Sequence, residues 1–347
     1  MRKEINKKLF AEIVGTGSFL PPNKYSTEDM KKYFPQINLE ENLKSIGVKT
    51  RYFVRNLDTN EVAFTNSELT TQAAKRALDA ANMKAEDLDL IVTATASPDY
   101  SIPNMACQVQ ELLKAKNADA IGILSGCGGF AHALTVATQF IENGFFNTAL
   151  VTGSEVLSPY LDFSHPKCIE GQAINATIFG DGAGALVLKA SHNDDGGVLC
   201  SYIGSDGKRN PLFLHDSGSK MRPTEETIKN GLHFWDLNLR LIVGLTPRFM
   251  KKATNMILSK SKNNLDKIDW IIPHQPTLPL VRRFAKDIDY PYEKMIIHFD
   301  NIGDTADACL PISLDMANKE NKFKKGDLVL LVAAGAGWMY GANLIKW

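Results

Sequence analysis

Short apolar runs rich in β-branched residues recur along the chain at residues 11–15, 88–94, 148–153, 185–188, 270–272 and 328–333. Each predicts a buried strand. Between them lie longer segments with apolar positions every three or four residues, at 69–81, 105–114, 130–142, 245–259 and 308–317. These predict helices that pack by one face. The alternation of the two periods predicts an α/β architecture whose sheets are covered on both sides.

The pattern also repeats. Residues 87–96 (DLDLIVTATA) are answered by 266–275 (DKIDWIIPHQ), 147–154 (NTALVTGS) by 326–335 (GDLVLLVAAG), and 180–188 (GDGAGALVL) by the glycine-rich turn and strand from 335. Three matches in one order predict a duplicated α/β unit, residues 1–191 and 192–347, joined at the turn-forming stretch 191–197. A chain of 347 residues fits two halves of about 150 to 190 residues. Residues 166–172 and 208–229 read as surface excursions.

Composition narrows the function. Hydrophobic residues make up 44% and charged residues 22%, enough for a large core. Lys plus Arg equals Asp plus Glu at 39 each, which argues against a nucleic-acid partner, since such proteins carry a basic excess. The five cysteines, at 107, 127, 168, 200 and 309, include no CxxC pair. Neither a zinc ribbon nor a disulfide framework is indicated, and no metal is expected. Unpaired thiols suit a reducing compartment. The charged first residues have no signal-peptide core, and no apolar run of 18 residues occurs, so a cytoplasmic protein without membrane spans is expected.

Cys127 has the most telling setting. A strand-like run, 121–124, leads to it, a periodic helix follows, and Gly126, Gly128 and Gly129 surround it. Glycines there permit a sharp turn, and a thiol at a helix N-terminus is expected to favour the thiolate. A buried core cysteine is the plain alternative. His274 lies at the end of a predicted strand, the edge of an α/β sheet where catalytic groups collect. His132, five residues along the helix from Cys127, points about 140° away from it. His165, His192, His215, His233 and His298 carry no such signal. Asp304 precedes the helix at 308–317 and is either its N-cap or a carboxylate that orients His274 and raises its basicity. The glycine-rich stretches 180–184 and 335–337 lack the form of a phosphate loop or dinucleotide site. The second has a backbone N–H to offer to an oxyanion.

With these pieces placed, the sequence resembles the β-ketoacyl-acyl-carrier-protein synthase III branch of the thiolase superfamily nearly end to end. The marks are Gly47-Val-Lys-Thr-Arg51, Pro103-Asn-Met-Ala-Cys107, Cys127-Gly-Gly-Phe130, Phe179-Gly-Asp-Gly-Ala-Gly-Ala185, Pro273-His-Gln275 and Gly303-Asp-Thr305. The resemblance implies a thiolase fold, a five-layered αβαβα homodimer of two βαβαβαββ halves that needs no cofactor. It implies that Cys127 is acylated from a CoA or acyl-carrier-protein thioester. Backbone N–H groups of Cys127 and Ala336 would form the oxyanion hole, and His274 would serve the second half-reaction. Ile102 is similar in place to a residue that reaches into the partner subunit's pocket.

Two departures qualify the resemblance. Ketosynthases of this branch carry Asn where this chain has Asp304, and an ionised Asp cannot donate to an enolate oxygen. Losing one such donor costs about 3 kcal/mol. Residues 40–45 lack the Trp and Arg with which primary-metabolism members grip the CoA adenine, and residues 166–172 are longer than usual. Arg248, Lys251, Lys252, Arg282 and Arg283 would then meet an acidic carrier, or form a plain solvated face. These departures favour transfer of the acyl group from Cys127 to an oxygen or nitrogen nucleophile activated by His274 and Asp304, in secondary metabolism. The alternative is decarboxylative Claisen condensation, with Asp304 protonated or replaced in role by Asn301. A non-catalytic subunit is a third reading.

Overall fold

The computed structural model describes residues 8–35, 46–161, 177–193, 196–208, 212–213, 223–232 and 236–347. Their strands are β1 (Phe10–Phe19), β2 (Asn23–Ser26), β3 (Thr50–Phe53), β4 (Leu90–Thr95), β5 (Asp119–Leu124), β6 (Thr148–Glu155), β7 (Gly182–Ser191), β8 (Gly197–Ser205), β9 (Leu212–Phe213), β10 (Asp236–Leu237), β11 (Trp270–Pro273), β12 (Leu328–Gly335) and β13 (Met339–Lys346). Nine of them form one sheet in the order β11-β12-β13-β8-β1-β7-β6-β4-β5, and β2/β3 and β9/β10 are separate ribbons.

The middle of that sheet is a slight join. β1 meets β8 through one aligned pair, Ala11 with Val198. On either side the strands follow one scheme. β4 and β6 run parallel, with β7 and then β1 added antiparallel. Likewise β11 and β12 run parallel, with β13 and then β8 added antiparallel. Where β5 extends the first set beyond β4, the second has a single parallel bridge from Ile271 to Met295.

The alternation of side chains along each strand explains the layering. Leu90 and Val92 of β4 share a core with Val329 and Leu331 of β12, and with Phe130, Leu134, Ile141, Leu310 and Leu314 from helices Gly129–Glu142 and Cys309–Lys319. Those two helices lie between the two sets of strands. The opposite face of the first set, Ile91, Leu150 and Val187, packs on Leu69, Ala77 and Val109 of helices Asn66–Ala81 and Met105–Leu113. The opposite face of the second, Leu330, Val332 and Leu344, packs on Phe249, Ile257 and Phe284 of helices Leu239–Ser261 and Leu278–Ile288. The result is the five-layered αβαβα thiolase fold. Strands with two apolar faces are what this arrangement requires, because water reaches neither side. Among the described residues no helix is long and apolar enough to cross a membrane.

Candidate active site

Three distant stretches bring Cys127, His274 and Asp304 together. Cys127 follows β5 and stands two residues before helix Gly129–Glu142, at φ +40°, a left-handed conformation that costs a non-glycine residue energy. His274 directly follows β11, and its backbone N–H continues the ladder to the Val332 carbonyl at 2.7 Å. Asp304 is held by two backbone bonds to the glycine-rich segment before β7. Its N–H donates to the Ile178 carbonyl at 2.7 Å, and its carbonyl accepts from the Gly180 N–H at 3.0 Å. Cys127 Sγ, one imidazole nitrogen of His274 and one carboxylate oxygen of Asp304 all lie within 4.8 Å of one another. No other such convergence of three His, Cys, Asp or Glu donors occurs among the described residues.

The three side chains line one pocket, whose walls include Ile178, Phe179, Ile242, Leu280 and Trp338. Ala336, on the turn after β12, lines it as well. Gly335 is what lets this turn approach the nucleophile: a Cβ there would lie 2.4 Å from both Cys127 Cβ and the Gly126 carbonyl oxygen.

The expectation of a ready thiolate is overturned. Asp307, a residue the sequence reading passed over, lays its carboxylate across the start of helix Gly129–Glu142. Oδ1 accepts the Gly129 N–H at 2.8 Å, Oδ2 lies 3.3 Å from the Ser125 hydroxyl, and the Phe130 N–H also points to it. A Cβ on Gly129 would lie 1.8 Å from the Ser125 Oγ and 2.9 Å from Asp307 Oδ2, so the cap needs glycine at that position. The positive end of the helix is thereby spent on Asp307. Burial pushes the Cys127 thiol well above its usual range, and the carboxyls of Asp304, Asp307 and Glu155 push it further. Glu155, at the end of β6, also went unnoticed. It lines the pocket and is bonded by Ser97, Thr95 and the Ala96 N–H. Burial raises both Glu155 and Asp307, and the Asp307 carboxyl raises Glu155 further.

His274 and Asp304 do not form the orienting pair considered from the sequence. Nε2 and Oδ2 are 3.9 Å apart, beyond hydrogen-bond length, and Nδ1 has no partner among the described residues. Burial alone lowers the imidazole to about 3, so it is neutral. Asp304 is not the N-cap of helix Cys309–Lys319 either; its Oδ1 accepts the Ala306 N–H at 2.8 Å in the turn before it. Burial, opposed by that bond, raises Asp304 to about 7.

Other expectations fall elsewhere. Asn301 is exposed on the short helix Phe299–Ile302, bonded to Asp300, and does not line the pocket. It cannot replace Asp304 there, because Phe299 and Ile302 form that helix's buried face. Ile102 is 88% exposed and outside this chain's own pocket. His132 turns to the Gly128 carbonyl of its own helix, 3.0 Å from Nδ1. Of the five basic residues, Lys252 donates to the Tyr340 hydroxyl, Lys251 to the Asp287 carbonyl, and Arg282 lies over the Tyr292 ring. Arg283 donates to the carbonyl of Val243 at the pocket wall. Residues 40–45 and 166–172, Cys168, His165, His215 and His233 lie outside the described residues.

Comparison with known proteins identifies the family. The family model described as 3-oxoacyl-[acyl-carrier-protein (ACP)] synthase III matches residues 122–207, and that of the C-terminal part of the same family matches residues 258–347. A β-ketoacyl-[acyl-carrier-protein] synthase III of Caldanaerobacter subterraneus is 35% identical, over 98% of this chain and 99% of its own. That of Clostridioides difficile is 33% identical, over 97% and 98%. The crystal structure of 3-oxoacyl-[acyl-carrier-protein] synthase III from Aquifex aeolicus superposes with a TM-score of 0.83 at 31% identity, covering 97% of this chain and all of that one.

Proposed function

Because the chain belongs to the 3-oxoacyl-[acyl-carrier-protein] synthase III family, a family of acyl-transferring enzymes, we propose that it condenses an acyl group carried on Cys127 with a malonyl-type thioester, with loss of CO₂. The 3.9 Å gap between His274 and Asp304 carries this reading over transfer to an oxygen or nitrogen nucleophile. Activating an alcohol or amine calls for a basic imidazole held by a carboxylate. This imidazole is neutral and unheld. A neutral imidazole beside an aspartic acid that stays protonated below about 7 suits a different task, donating hydrogen bonds to a thioester oxygen as it becomes an enolate.

In the first half-reaction Cys127 Sγ attacks the donor thioester, and the N–H groups of Cys127 and Ala336 hold the oxyanion. In the second, the malonyl thioester enters and its carbonyl oxygen accepts from the His274 N–H and the Asp304 carboxylic acid. CO₂ departs, and the carbanion attacks the acyl carbon on Cys127. An Asp raised to about 7 by burial supplies the donor that Asn supplies in other members of the branch. The donor carrier is CoA or an acyl-carrier protein. A homodimer is part of the same proposal. Among the described residues β5 ends the sheet with an unpaired edge, its Leu124 is 72% exposed and Ile102 is 88% exposed, ready to meet a second copy. The halves are taken as residues 1–191 and 192–347. A place in secondary metabolism was argued from Asp304 and from residues 40–45; with Asp304 able to donate, the second ground stands alone.

The test is release of CO₂ from a malonyl thioester. Asp304 donates only while protonated, and its carboxyl titrates near 7, so release is expected to be greatest below that value and to fall about tenfold per pH unit above it. Absence of CO₂, with the acyl group recovered on an alcohol or amine, overturns the proposal.

A further inference from the structure

The capped helix poses a question of proton balance. Cys127 is a thiol, so its proton must go somewhere as the acyl group is loaded. The titratable groups around Sγ are His274 from the end of β11, Glu155 from β6, Asp304 and Asp307 from one turn, and Cys309 at the start of the next helix. Asp307 is occupied by Gly129, Phe130 and Ser125, and Glu155 by Ser97, Thr95 and Ala96. His274 is a poor proton acceptor where it is buried, and Cys309 is itself a buried thiol raised above its usual range. Asp304 engages Ala306 through Oδ1, while Oδ2 accepts no hydrogen bond from the described residues and faces His274. Its carboxylate belongs to the set of three within 4.8 Å.

We propose that Asp304 takes the proton of Cys127 during acyl loading and that its protonated form, in exchange with solvent between the half-reactions, is the hydrogen-bond donor for condensation. Its second half rests on the condensation reading above. The spacing admits one bridging water, or closes when substrate enters, as apo catalytic contacts commonly do. The balance is complete. The Sγ–H bond breaks to Asp304, Sγ bonds the acyl carbon, and the carrier leaves as a thiolate that takes a proton from solvent. Loss of CO₂ then leaves its electron pair on the malonyl α-carbon, which bonds the acyl carbon and expels Cys127 as thiolate. That thiolate recovers the proton from Asp304. An Asn can donate in the second step but cannot accept in the first, which gives the Asp a purpose that a donor alone does not have.

The experiment separates the half-reactions. Acyl loading is followed by rapid-quench intact-mass spectrometry with acyl-CoA, and CO₂ release is measured separately with a malonyl thioester. In the native chain, loading is expected to rise with pH through about 7 as Asp304 ionises, opposite to the trend of CO₂ release. In Asp304→Asn, loading at pH 7.5 is expected to fall about 10²-fold, as for loss of a general base, and the rise near 7 to vanish. Loading in the variant at the native rate and with the native pH profile overturns the proposal. If the variant does not fold, the native profile decides: loading that is flat between pH 6 and 8 overturns it. CO₂ release is read independently, so failure of the shuttle leaves the condensation reading testable.

Discussion

Replacing Cys127 with alanine is expected to abolish acyl-enzyme formation and lower turnover by about 10⁴-fold or more, the scale set by removing a covalent nucleophile. Intact-protein mass spectrometry after incubation with a panel of acyl-CoAs and acyl-carrier thioesters checks it. The native chain gains the mass of one acyl group and the variant gains none. The expectation is strong because, among the described residues, Cys127 is the cysteine that lines the pocket, at the turn fixed by Gly335 and capped through Asp307. Cys309 is buried and Cys200 half-buried, both with thiols raised by burial, and neither lines the pocket. An adduct that persists in Cys127→Ala would move the nucleophile elsewhere. No adduct on the native chain with any donor would return the non-catalytic subunit to first place.

His274→Ala carries the second large effect. Removing one preorganised donor to a developing oxyanion costs about 10²- to 10³-fold in rate. That loss is expected in CO₂ release from the malonyl thioester, while acyl loading of Cys127 falls far less. The split follows from the geometry. The imidazole is neutral, 3.9 Å from Asp304 and without a partner at Nδ1 among the described residues, so it is placed to donate and is ill suited to accept. Equal losses in both half-reactions would show that His274 serves Cys127 as base, and would remove Asp304 from that role.

Much of the fold was legible because its strands are apolar on both faces. Runs such as Ile91-Val92 or Leu330-Leu331-Val332 leave no polar face to water, which predicts layers on both sides. The turn that holds Cys127 was legible from its glycines, since few turns need so many, and the position of His274 from the apolar strand before it. Asp307 and Glu155 were not. A carboxylate in a turn or at a strand end is usually solvated, and nothing local tells that Asp307 caps a helix 178 residues earlier in the chain. Protonation states were hidden for the same reason. The helix end beside Cys127 suggested a thiolate, but the sign was reversed by burial and by carboxyls from β6 and from the turn before helix Cys309–Lys319. Asp304 and Asn301 illustrate the limit of spacing. They lie three residues apart, yet one is buried in the pocket and the other faces water.

The most direct test of the central claim is CO₂ release from a malonyl thioester by enzyme already acylated on Cys127, Asp304→Asn beside the native chain, from pH 6 to 9. If Asp304 acts there as a neutral donor, the amide replaces it: release stays within a few-fold of native at pH 6 and loses its fall above about 7. If Asp304 acts instead as the charged partner of a basic His274, the variant loses activity at every pH and releases no CO₂, which would contradict condensation through a protonated Asp304.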